Sequence, residues 1–479
     1  MIKKYKALPI SVKAAIWFII CNCIQKSTQL VTTPIYTRLL SQSQYGQYTV
    51  FLSWIELIAI LATLDLFYSG YNVGMSKFKK DRDNYTSAMC GLSYFITTIC
   101  LIIVLIFSSF FARLLGMSEI HIIILIIYMY IFPIYQFWSA KKKFEYKYKS
   151  LVVVTFIMSL TSIITGTIFA IAFEDKGTAV LVAKILAEAI VSIPLLIKII
   201  ITSRKLFDWF YWKYALKFNL PLIPHYISTM ILNHSDRIMI LNICNASQAG
   251  IYSVAYSIAM IITIAQNAIN SAMVPWLYDR ISKNNLASVK TKISYIIITE
   301  AILNLIIIIV APELLLIIST KKYMPAIWII PPVTFGVFLT GIYGLFVNIE
   351  LYFNNTKITA ISSLIAAIVN IVLNYICIAK YGYIAAGYTT FISYLLLTII
   401  HYIGAKNICK KKNIRFEEIL NVKILILIIV SFLIITCLFM SLYKYIIIRM
   451  LLMILLFIIV FMNRKKVLFL FKEIKKNNK

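Results

Sequence analysis

Residues 44–50 read QYGQYTV, and residues 248–254 read QAGIYSV. Both fit the pattern Gln-x-Gly-x-Tyr-(Ser/Thr)-Val, and the second copy follows the first after 204 residues. Each copy comes after a long apolar segment, and further apolar segments align at about the same offset. Glycine and an interfacial tyrosine could recur by chance at the starts of membrane helices. Because several segments share one offset, we predict an internal duplication instead.

The composition places the chain in the membrane class. Of its 479 residues, 61% are hydrophobic and 14% are charged, and the mean hydropathy is +0.88. A soluble domain carries about 25% charged residues. The eight cysteines lie mostly within apolar runs and form no CxxC pair, so we expect them to pack as small apolar side chains.

Apolar runs of membrane-spanning length recur along the whole chain. A helix needs about 20 residues to cross the hydrocarbon core, and a helix satisfies its own backbone hydrogen bonds there. The sequence therefore predicts an all-α integral membrane protein with about 14 transmembrane helices, the first of them a retained span rather than a signal peptide. The predicted spans are 11–33, 47–69, 86–110, 120–139, 151–173, 178–201, 218–243, 249–275, 291–312, 326–348, 358–379, 383–404, 421–440 and 444–462.

The repeat unit contains six of these spans. Because six is an even number, both copies enter the membrane in the same sense and form a parallel repeat. We predict an N-terminal six-helix lobe at 1–205 and a C-terminal six-helix lobe at 206–408. Residues 409–479 would add two transmembrane helices and a basic cytoplasmic tail. Transporters with such repeats bind their substrate between the two halves.

The basic residues predict the orientation. The net charge is +29, but the lysines and arginines form short clusters between apolar runs rather than one stripe, so we do not expect a nucleic-acid partner. One set of span ends carries 36 Lys and Arg residues, and the opposite set carries eight. Cytoplasmic loops are the ones enriched in Lys and Arg. Both termini are therefore predicted to lie in the cytoplasm.

Polar side chains recur at helical spacing inside two corresponding spans. Such spacing places them on one helix face. The stripe in span 1 is Asn22, Lys26, Gln29 and Thr33, and the stripe in span 7 is His225, Thr229, Asn233 and Asp236, with Arg237 adjacent. Further polar residues within spans include Glu56, Asp65, Lys184, Glu188, Gln266, Asn267, Asn270, Glu300, Asn370 and Asn374.

Charged side chains at bilayer depth usually face the bundle interior or a water-filled cavity. We interpret the set as a hydrated central cavity in which Lys26, Lys184 and Arg237 hold a phosphate. The predicted polar lining is Asn22, Gln29, His225, Asn233, Asp236, Gln266 and Asn270, and the candidate ion-coupling carboxylates are Glu56, Asp65, Glu188 and Glu300.

Structural roles compete with this interpretation. Asn and Gln often join neighbouring helices, Lys184 and Glu188 are four residues apart and could pair internally, and Asp236 with Arg237 could cap the outer end of span 7. Neither a catalytic triad, a Walker motif nor a metal-binding cluster occurs in the sequence. We therefore expect no metal, no cofactor and no enzyme activity.

Three stretches resemble one protein family. They are RLLSQSQYGQY at 38–48, DRIMILNICNASQAGIYSVAY at 236–256 and NIVLNYICIAKYGYIAAGYTTFISY at 370–394. Over essentially its full length the chain resembles the bacterial polysaccharide-biosynthesis flippases, also called O-antigen or lipid-linked oligosaccharide exporters. These belong to the multidrug/oligosaccharidyl-lipid/polysaccharide exporter superfamily. The motif positions matched are Arg38, Asp236, Arg237, Gly250 and Tyr252, and Arg38 joins the predicted substrate-binding set.

The resemblance implies two six-helix lobes, two extra helices and alternating access to a cationic central cavity. The implied substrate is an oligosaccharide on undecaprenyl diphosphate, moved from the cytoplasmic to the periplasmic leaflet of the bacterial inner membrane. This step would serve the biosynthesis of lipopolysaccharide O-antigen or another surface polysaccharide. The expected partners are this lipid, the bilayer, and the polysaccharide polymerase with its chain-length machinery.

Three alternatives remain at the level of sequence. A multidrug antiporter for cationic drugs would favour acidic cavity residues, whereas at least three cations lie within spans here. A flippase for the peptidoglycan lipid precursor would also use a cationic cavity and stays open. A membrane glycan polymerase or ligase usually carries sizeable external loops with catalytic side chains, and the external connections of this chain are short.

Overall fold

The computed structural model describes residues 9–286, 289–353 and 355–462. Within these ranges the regular secondary structure is helical, without a strand. The basic residues Lys3, Lys4 and Lys6, and the part of the predicted cytoplasmic tail at 463–479, lie outside the described residues.

The helices range in length from four to 30 residues. The first eleven are α1 (Ile10–Leu39), α2 (Gln42–Thr63), α3 (Ser69–Lys77), α4 (Arg82–Ile106), α5 (Ser108–Leu115), α6 (Glu119–Phe144), α7 (Tyr148–Ala172), α8 (Lys176–Thr202), α9 (Trp209–Asn219), α10 (Ile223–Ile243) and α11 (Ala246–Ala259). They are followed by α12 (Ile262–Ser282), α13 (Val289–Ile309), α14 (Ala311–Ile318), α15 (Ile330–Tyr352), α16 (Thr356–Tyr381), α17 (Ala385–Lys411), α18 (Phe416–Ile419), α19 (Val422–Ser441) and α20 (Ile446–Met462). Short 3₁₀ segments, Leu220–Leu222 and Lys321–Trp328, precede α10 and α15.

Each predicted span coincides with one of these helices, or with α11 and α12 together. In the described part of the chain, 11 helical segments are long and apolar enough to cross a membrane. The other three predicted spans correspond to α1 and α10, which carry the polar stripes, and to α20, which is apolar over Ile446–Leu455. The predicted fold class is confirmed: the protein is an all-α, multi-pass integral membrane protein.

Several helix ends differ from the prediction. Helices α1, α6 and α17 run six, five and seven residues past the predicted ends at 33, 139 and 404, and two further ends concern candidate residues. Span 2 was expected at 47–69, but α2 ends at Thr63 because Leu64 (φ 49°) and Asp65 (φ 45°) are both left-handed. Left-handed residues other than glycine are uncommon and interrupt a right-handed helix. Asp65 therefore lies in a break before α3. Conversely, α15 continues four residues past the predicted end at 348, to Tyr352.

The helices form two compact units, Met1–Gly250 and Ile251–Lys479. In the first unit α7 packs on α1 and α8, and α10 packs along α2. One buried apolar cluster surrounds Tyr71, Tyr85 and Phe137, and a second surrounds Phe51 and Leu125. The lobe boundaries predicted from the sequence, after residues 205 and 408, stay predictions.

The glycines of the repeated motif lie against each other within the first unit. A Cβ atom added to Gly46 of α2 would collide with the carbonyl oxygen of Ala246 and lie 2.9 Å from the nitrogen of Gly250. A Cβ atom added to Gly250 of α11 would lie 2.5 Å from the carbonyl oxygen of Gln42. Small residues permit such close backbone approach between membrane helices. The motif therefore joins the starts of α2 and α11.

In the second unit α15 lies at the centre and contacts α12, α13, α16 and α17. The two additional helices are attached through α13 and α14. Arg449 of α20 is 1% exposed and donates hydrogen bonds to both carboxylate oxygens of Glu313, at 2.9 and 2.7 Å, and to the carbonyl oxygen of Ile309, at 2.6 Å. The bidentate carboxylate neutralises the charge of the buried guanidinium and accepts hydrogen bonds from two of its nitrogens.

Candidate functional site

A lysine and a glutamate one helical turn apart form an ion pair on α8. Lys184 Nζ contacts Glu188 Oε1, and Tyr128 of α6 donates its phenolic hydrogen to Glu188 Oε2. Lys184 Nζ also lies 5.8 Å from the centroid of the Tyr128 ring. Residues i and i+4 share one helix face. The internal pairing weighed from the sequence is therefore present, and it compensates the charge of Lys184.

A second carboxylate approaches the same lysine. Glu56 of α2 lies within electrostatic range of both Lys184 and Glu188. The side chains of Lys184 and Glu188 are only 26% and 11% exposed. With both carboxylates ionised, one ammonium group would balance only half of their charge. We call Glu56, Tyr128, Lys184 and Glu188 the α8 cluster, and the ion-coupling role of its two carboxylates stays a prediction.

The polar stripe of α1 is open. Asn22, Lys26 and Gln29 are exposed, and Thr33, the last member of the stripe, is buried with its hydroxyl donating to the carbonyl oxygen of Gln29 at 2.8 Å. Beside them, the amide of Gln25 donates to the hydroxyl of Tyr135 at 3.1 Å. An exposed ammonium group within a spanning helix requires water or a polar ligand nearby. We call Asn22, Lys26 and Gln29 the α1 polar face.

The corresponding stripe of α10 is less exposed, with His225, Thr229 and Asn233 half-buried. Asp236 and Arg237 are 1% and 7% exposed. Arg237 Nη1 lies 3.3 Å from the carbonyl oxygen of Asn233 and 3.5 Å from His234 Nδ1. The amide of Asn233 donates to the carbonyl oxygen of Thr229 at 2.8 Å. Several of these polar groups thus bond along their own helix.

The remaining predicted residues lie at helix ends and helix–helix contacts. Arg38 is exposed at the end of α1, where its guanidinium donates to the carbonyl oxygen of Pro34 at 2.8 Å. His225 lies half-buried near the start of α10, and the Thr229 hydroxyl donates to its carbonyl oxygen at 3.0 Å. The roles assigned to these residues from the sequence stay predictions.

Polar residues of the second unit join helices. Gln266 of α12 donates to the carbonyl oxygen of Val337 at 2.8 Å, and Asn270 accepts from the amide of Asn348 at 2.8 Å. Both bonds reach α15. Glu300 of α13 is 5% exposed, and a Cβ atom added to Gly341 of α15 would collide with its carboxylate. The lining and ion-coupling roles of these residues remain untested expectations.

The sequence analysis missed a buried acid–base pair in the second unit. Glu350 of α15 and His401 of α17 are 0% and 1% exposed, and His401 Nδ1 lies 3.1 and 3.0 Å from the two carboxylate oxygens. Thr359 of α16 donates its hydroxyl to Glu350 Oε2 at 3.0 Å. The rule that flags ionisable residues within spans would have selected Glu350, but the predicted span ended at 348.

Solved structures show the same fold. The lipid II flippase MurJ in an inward closed conformation superposes with a TM-score of 0.71 at 16% sequence identity, covering 94% of this chain and 100% of that one. An inward-facing multidrug resistance MATE family transporter of the MOP superfamily superposes with a TM-score of 0.67 at 13% identity, covering 80% and 95%. At these identities the likeness concerns the fold alone.

Sequence comparison identifies the family. The Lsg locus putative protein 1 of Haemophilus influenzae is 34% identical over 73 residues, which cover 15% of this chain and only 18% of that relative. The family model described as polysaccharide biosynthesis protein matches residues 11–280, more than half of the chain. That range runs from α1 to α12 and includes both copies of the repeated motif. The chain therefore belongs to the polysaccharide biosynthesis protein family.

Proposed function

We propose that this protein is a flippase for undecaprenyl-diphosphate-linked oligosaccharide, which it moves from the cytoplasmic to the periplasmic leaflet of the bacterial inner membrane. The observation that carries the proposal is the α1 polar face of a chain in the polysaccharide biosynthesis family. An exposed ammonium group flanked by amides, in the middle of a spanning helix, suits an anionic, hydroxyl-rich cargo. Translocation needs no covalent chemistry, so no catalytic machinery is required.

The two ends of the cargo call for different partners. Lys26 would bind the diphosphate through charge-assisted hydrogen bonds, which are stronger than neutral ones. Asn22 and Gln29, one turn to either side, offer the donors and acceptors that sugar hydroxyls need. The cargo meets this face first because the face is exposed before any rearrangement.

Lys184 and Arg237 would act later in the cycle. Glu188 already holds Lys184, so a diphosphate reaching Lys184 must compete with this carboxylate. Arg237 is 7% exposed and would require a rearrangement of α10 before it could contact a ligand. Such staged access fits alternating access to the cationic central cavity that the sequence predicts. Arg38, exposed at the end of α1, would meet the diphosphate near the membrane surface.

A second candidate is a flippase for the peptidoglycan lipid precursor. It is favoured by the superposition on the lipid II flippase MurJ over 94% of this chain. Both cargoes carry a polyprenyl diphosphate and would use the same cations. The candidates differ in the lipid that accumulates when the protein is absent, and the experiment below separates them.

The proposal can be tested in a gene-deletion strain without a second flippase gene. We expect completed undecaprenyl-diphosphate oligosaccharide to accumulate and surface polysaccharide to be lost, and wild-type protein to reverse both. Lys26→Ala, expressed at the wild-type level, should reduce clearance at least tenfold, and Lys26→Arg should retain more of it. Lys283→Ala removes an exposed lysine from a surface ion pair and serves as the matched control.

The outcome separates the candidates. Accumulation of the peptidoglycan precursor would favour the second candidate. Normal surface polysaccharide with neither lipid accumulating would contradict both and direct attention to drug export. The predicted orientation is tested separately, since reporters fused to both termini should lie in the cytoplasm.

A further inference from the structure

The Glu350–His401 pair is isolated from water and joins three helices. The carboxylate comes from α15, the imidazole from α17 and the Thr359 hydroxyl from α16. The imidazole is covered by the ring of Tyr343, whose centroid lies 5.6 Å away at an interplanar angle of 17°. Both partners are at most 1% exposed, so water cannot compensate a change in their charge. The side chains of the surrounding helices must do so instead.

The pair is built for a proton rather than a metal ion. His401 Nδ1 already occupies the face of the carboxylate, within 3.1 Å of both oxygens. One turn after His401 on the same helix, a Cβ atom added to Gly404 would lie 2.7 Å from Glu350 Oε1, so the backbone of α17 also approaches the carboxylate closely. Among the residues that the structure describes, His, Cys, Asp and Glu nowhere form a group of three that could hold a metal.

Proton occupancy controls the net charge of this buried pair. A neutral imidazole that donates its Nδ1 hydrogen to the ionised carboxylate leaves one negative charge inside the protein. Addition of one proton at Nε2 gives imidazolium and carboxylate, with no net charge. Burial of unbalanced charge is strongly unfavourable, and histidine is the side chain whose charge changes near neutral pH. Loss of the proton must therefore alter the contacts that the carboxylate makes.

Other titratable groups on the packed helices have their own contacts. Glu300 abuts Gly341, nine positions before Glu350 on α15, and Lys406 lies 5.9 Å above the ring of Tyr402. The titratable and charged groups of α12, α13, α15, α16, α17 and α18, apart from the pair itself, are Tyr278, Asp279, Arg280, Lys290, Lys292, Tyr295, Glu300, Tyr343, Tyr352, Lys357, Tyr375, Cys377, Lys380, Tyr381, Tyr388, Tyr394, Tyr402, Lys406, Cys409, Lys410, Lys411, Glu417 and Glu418. Of these, Tyr343 stacks directly on the imidazole.

We propose that Glu350 and His401 form a proton-binding site that couples proton movement to translocation by changing how α15, α16 and α17 pack. Thr359 is a positioning residue, because it donates to the carboxylate from α16. The coupling part of this inference rests on the proposed flippase function, whereas the proton site does not. In the coupled cycle, the protonated pair holds the three helices together and the deprotonated pair releases them.

The site can be tested on the full chain, labelled with ¹⁵N-histidine and placed in lipid nanodiscs. The chain has only four histidines, and His401→Gln identifies the His401 signals. We expect these signals to respond to pH in the wild-type protein. In Glu350→Gln the change should be lost or displaced by at least tenfold in proton concentration, because the neighbouring charge is gone. The signals of His121, in the first unit, provide the internal reference.

The coupling is tested in the deletion strain. Glu350→Gln should reduce clearance of the lipid-linked oligosaccharide at least tenfold, and Glu350→Asp should recover part of it. Glu418→Gln, which changes an exposed carboxylate in the same way, is the matched control. Variants are compared only when they elute as a single species. If Glu350→Gln does not, Thr359→Val, which removes a hydrogen-bond donor from the carboxylate, replaces it in the spectroscopic arm and should displace the response.

Each outcome tests one part of the proposal, either the proton site or its coupling to translocation. His401 signals that do not respond to pH, or that respond identically in Glu350→Gln, overturn the proton site. An intact response combined with wild-type clearance by Glu350→Gln overturns the coupling. If the wild-type protein itself clears no lipid-linked oligosaccharide, the proposed cargo is wrong, and the spectroscopic arm alone decides the proton site.

Discussion

The α8 cluster of the first unit and the Glu350–His401 pair of the second unit are both buried acid–base pairs with a hydroxyl as third partner. In the α8 cluster the two charges stand one turn apart on a single helix, and the hydroxyl is that of Tyr128. In the second unit the two charges come from different helices, and the hydroxyl is that of Thr359. The first pair can open without moving a helix, whereas the second cannot.

The base also differs between the two pairs. A lysine ammonium group stays charged unless it is deeply desolvated, whereas an imidazole gains and loses its charge near neutral pH. Lys184 is therefore suited to exchange one anionic partner, Glu188, for another. His401 is suited to bind and release a proton while its partner stays in place.

The largest expected effect on stability follows from removing the basic partner of the α8 pair. Lys184→Met should lower the free energy of unfolding in detergent micelles by about 3–5 kcal/mol, because Glu188 then lacks its buried counter-charge. His401→Gln should cost less, about 1–3 kcal/mol, because the glutamine amide can still donate a hydrogen bond to the carboxylate of Glu350. The double variant Lys184→Met/Glu188→Gln is the control and should regain most of the loss. Equal losses for the two single variants would contradict the distinction.

The two hydroxyl groups should have comparable effects. Hydrogen bonds to charged groups contribute about 1.5–3 kcal/mol. Tyr128→Phe and Thr359→Val should each lower the unfolding free energy by about this amount, as measured by denaturant titration in micelles. Thr359→Ser keeps the donor and should recover most of the stability. No loss in Thr359→Val would show that the hydroxyl does not position Glu350.

The smallest effect is expected for an exposed pair. Lys283 Nζ and Asp279 Oδ1 are 2.7 Å apart on α12, with side chains 67% and 37% exposed. Asp279→Asn should change the unfolding free energy by less than about 0.5 kcal/mol, because exposed ion pairs contribute little. A loss as large as that expected for Lys184→Met would mean that pairing alone, rather than burial, determines how much an ion pair contributes to stability in this protein.

The sequence was sufficient for the helices but not for every position within them. Hydropathy located the spans because a membrane-spanning segment must be apolar and must satisfy its own backbone hydrogen bonds as a helix. It did not reveal that Leu64 and Asp65 end α2, because no glycine or proline marks that turn. It also stopped α15 before Glu350, since the polar residues after Phe346 resemble a helix end.

The candidate sites show a similar division. The spacing of Lys184 and Glu188 was enough to anticipate their pairing, because both lie on one helix. The partners of Glu350 are nine and 51 residues away, on other helices, and only tertiary packing brings them together. Likewise, the stripes of α1 and α10 look alike in sequence, yet three members of the first are exposed, whereas the members of the second are half-buried or buried.

The contact of Gly46 with the start of α11 has an evolutionary consequence. If the predicted duplication occurred, the two glycines descend from one ancestral position. Each now restricts the substitutions that are possible at the other. A side chain gained by either copy would push against the backbone of the other. Genetic drift, which erases the likeness of duplicated segments elsewhere, is therefore opposed here in both copies at once. We expect these two positions to be among the last at which the two halves of the gene diverge.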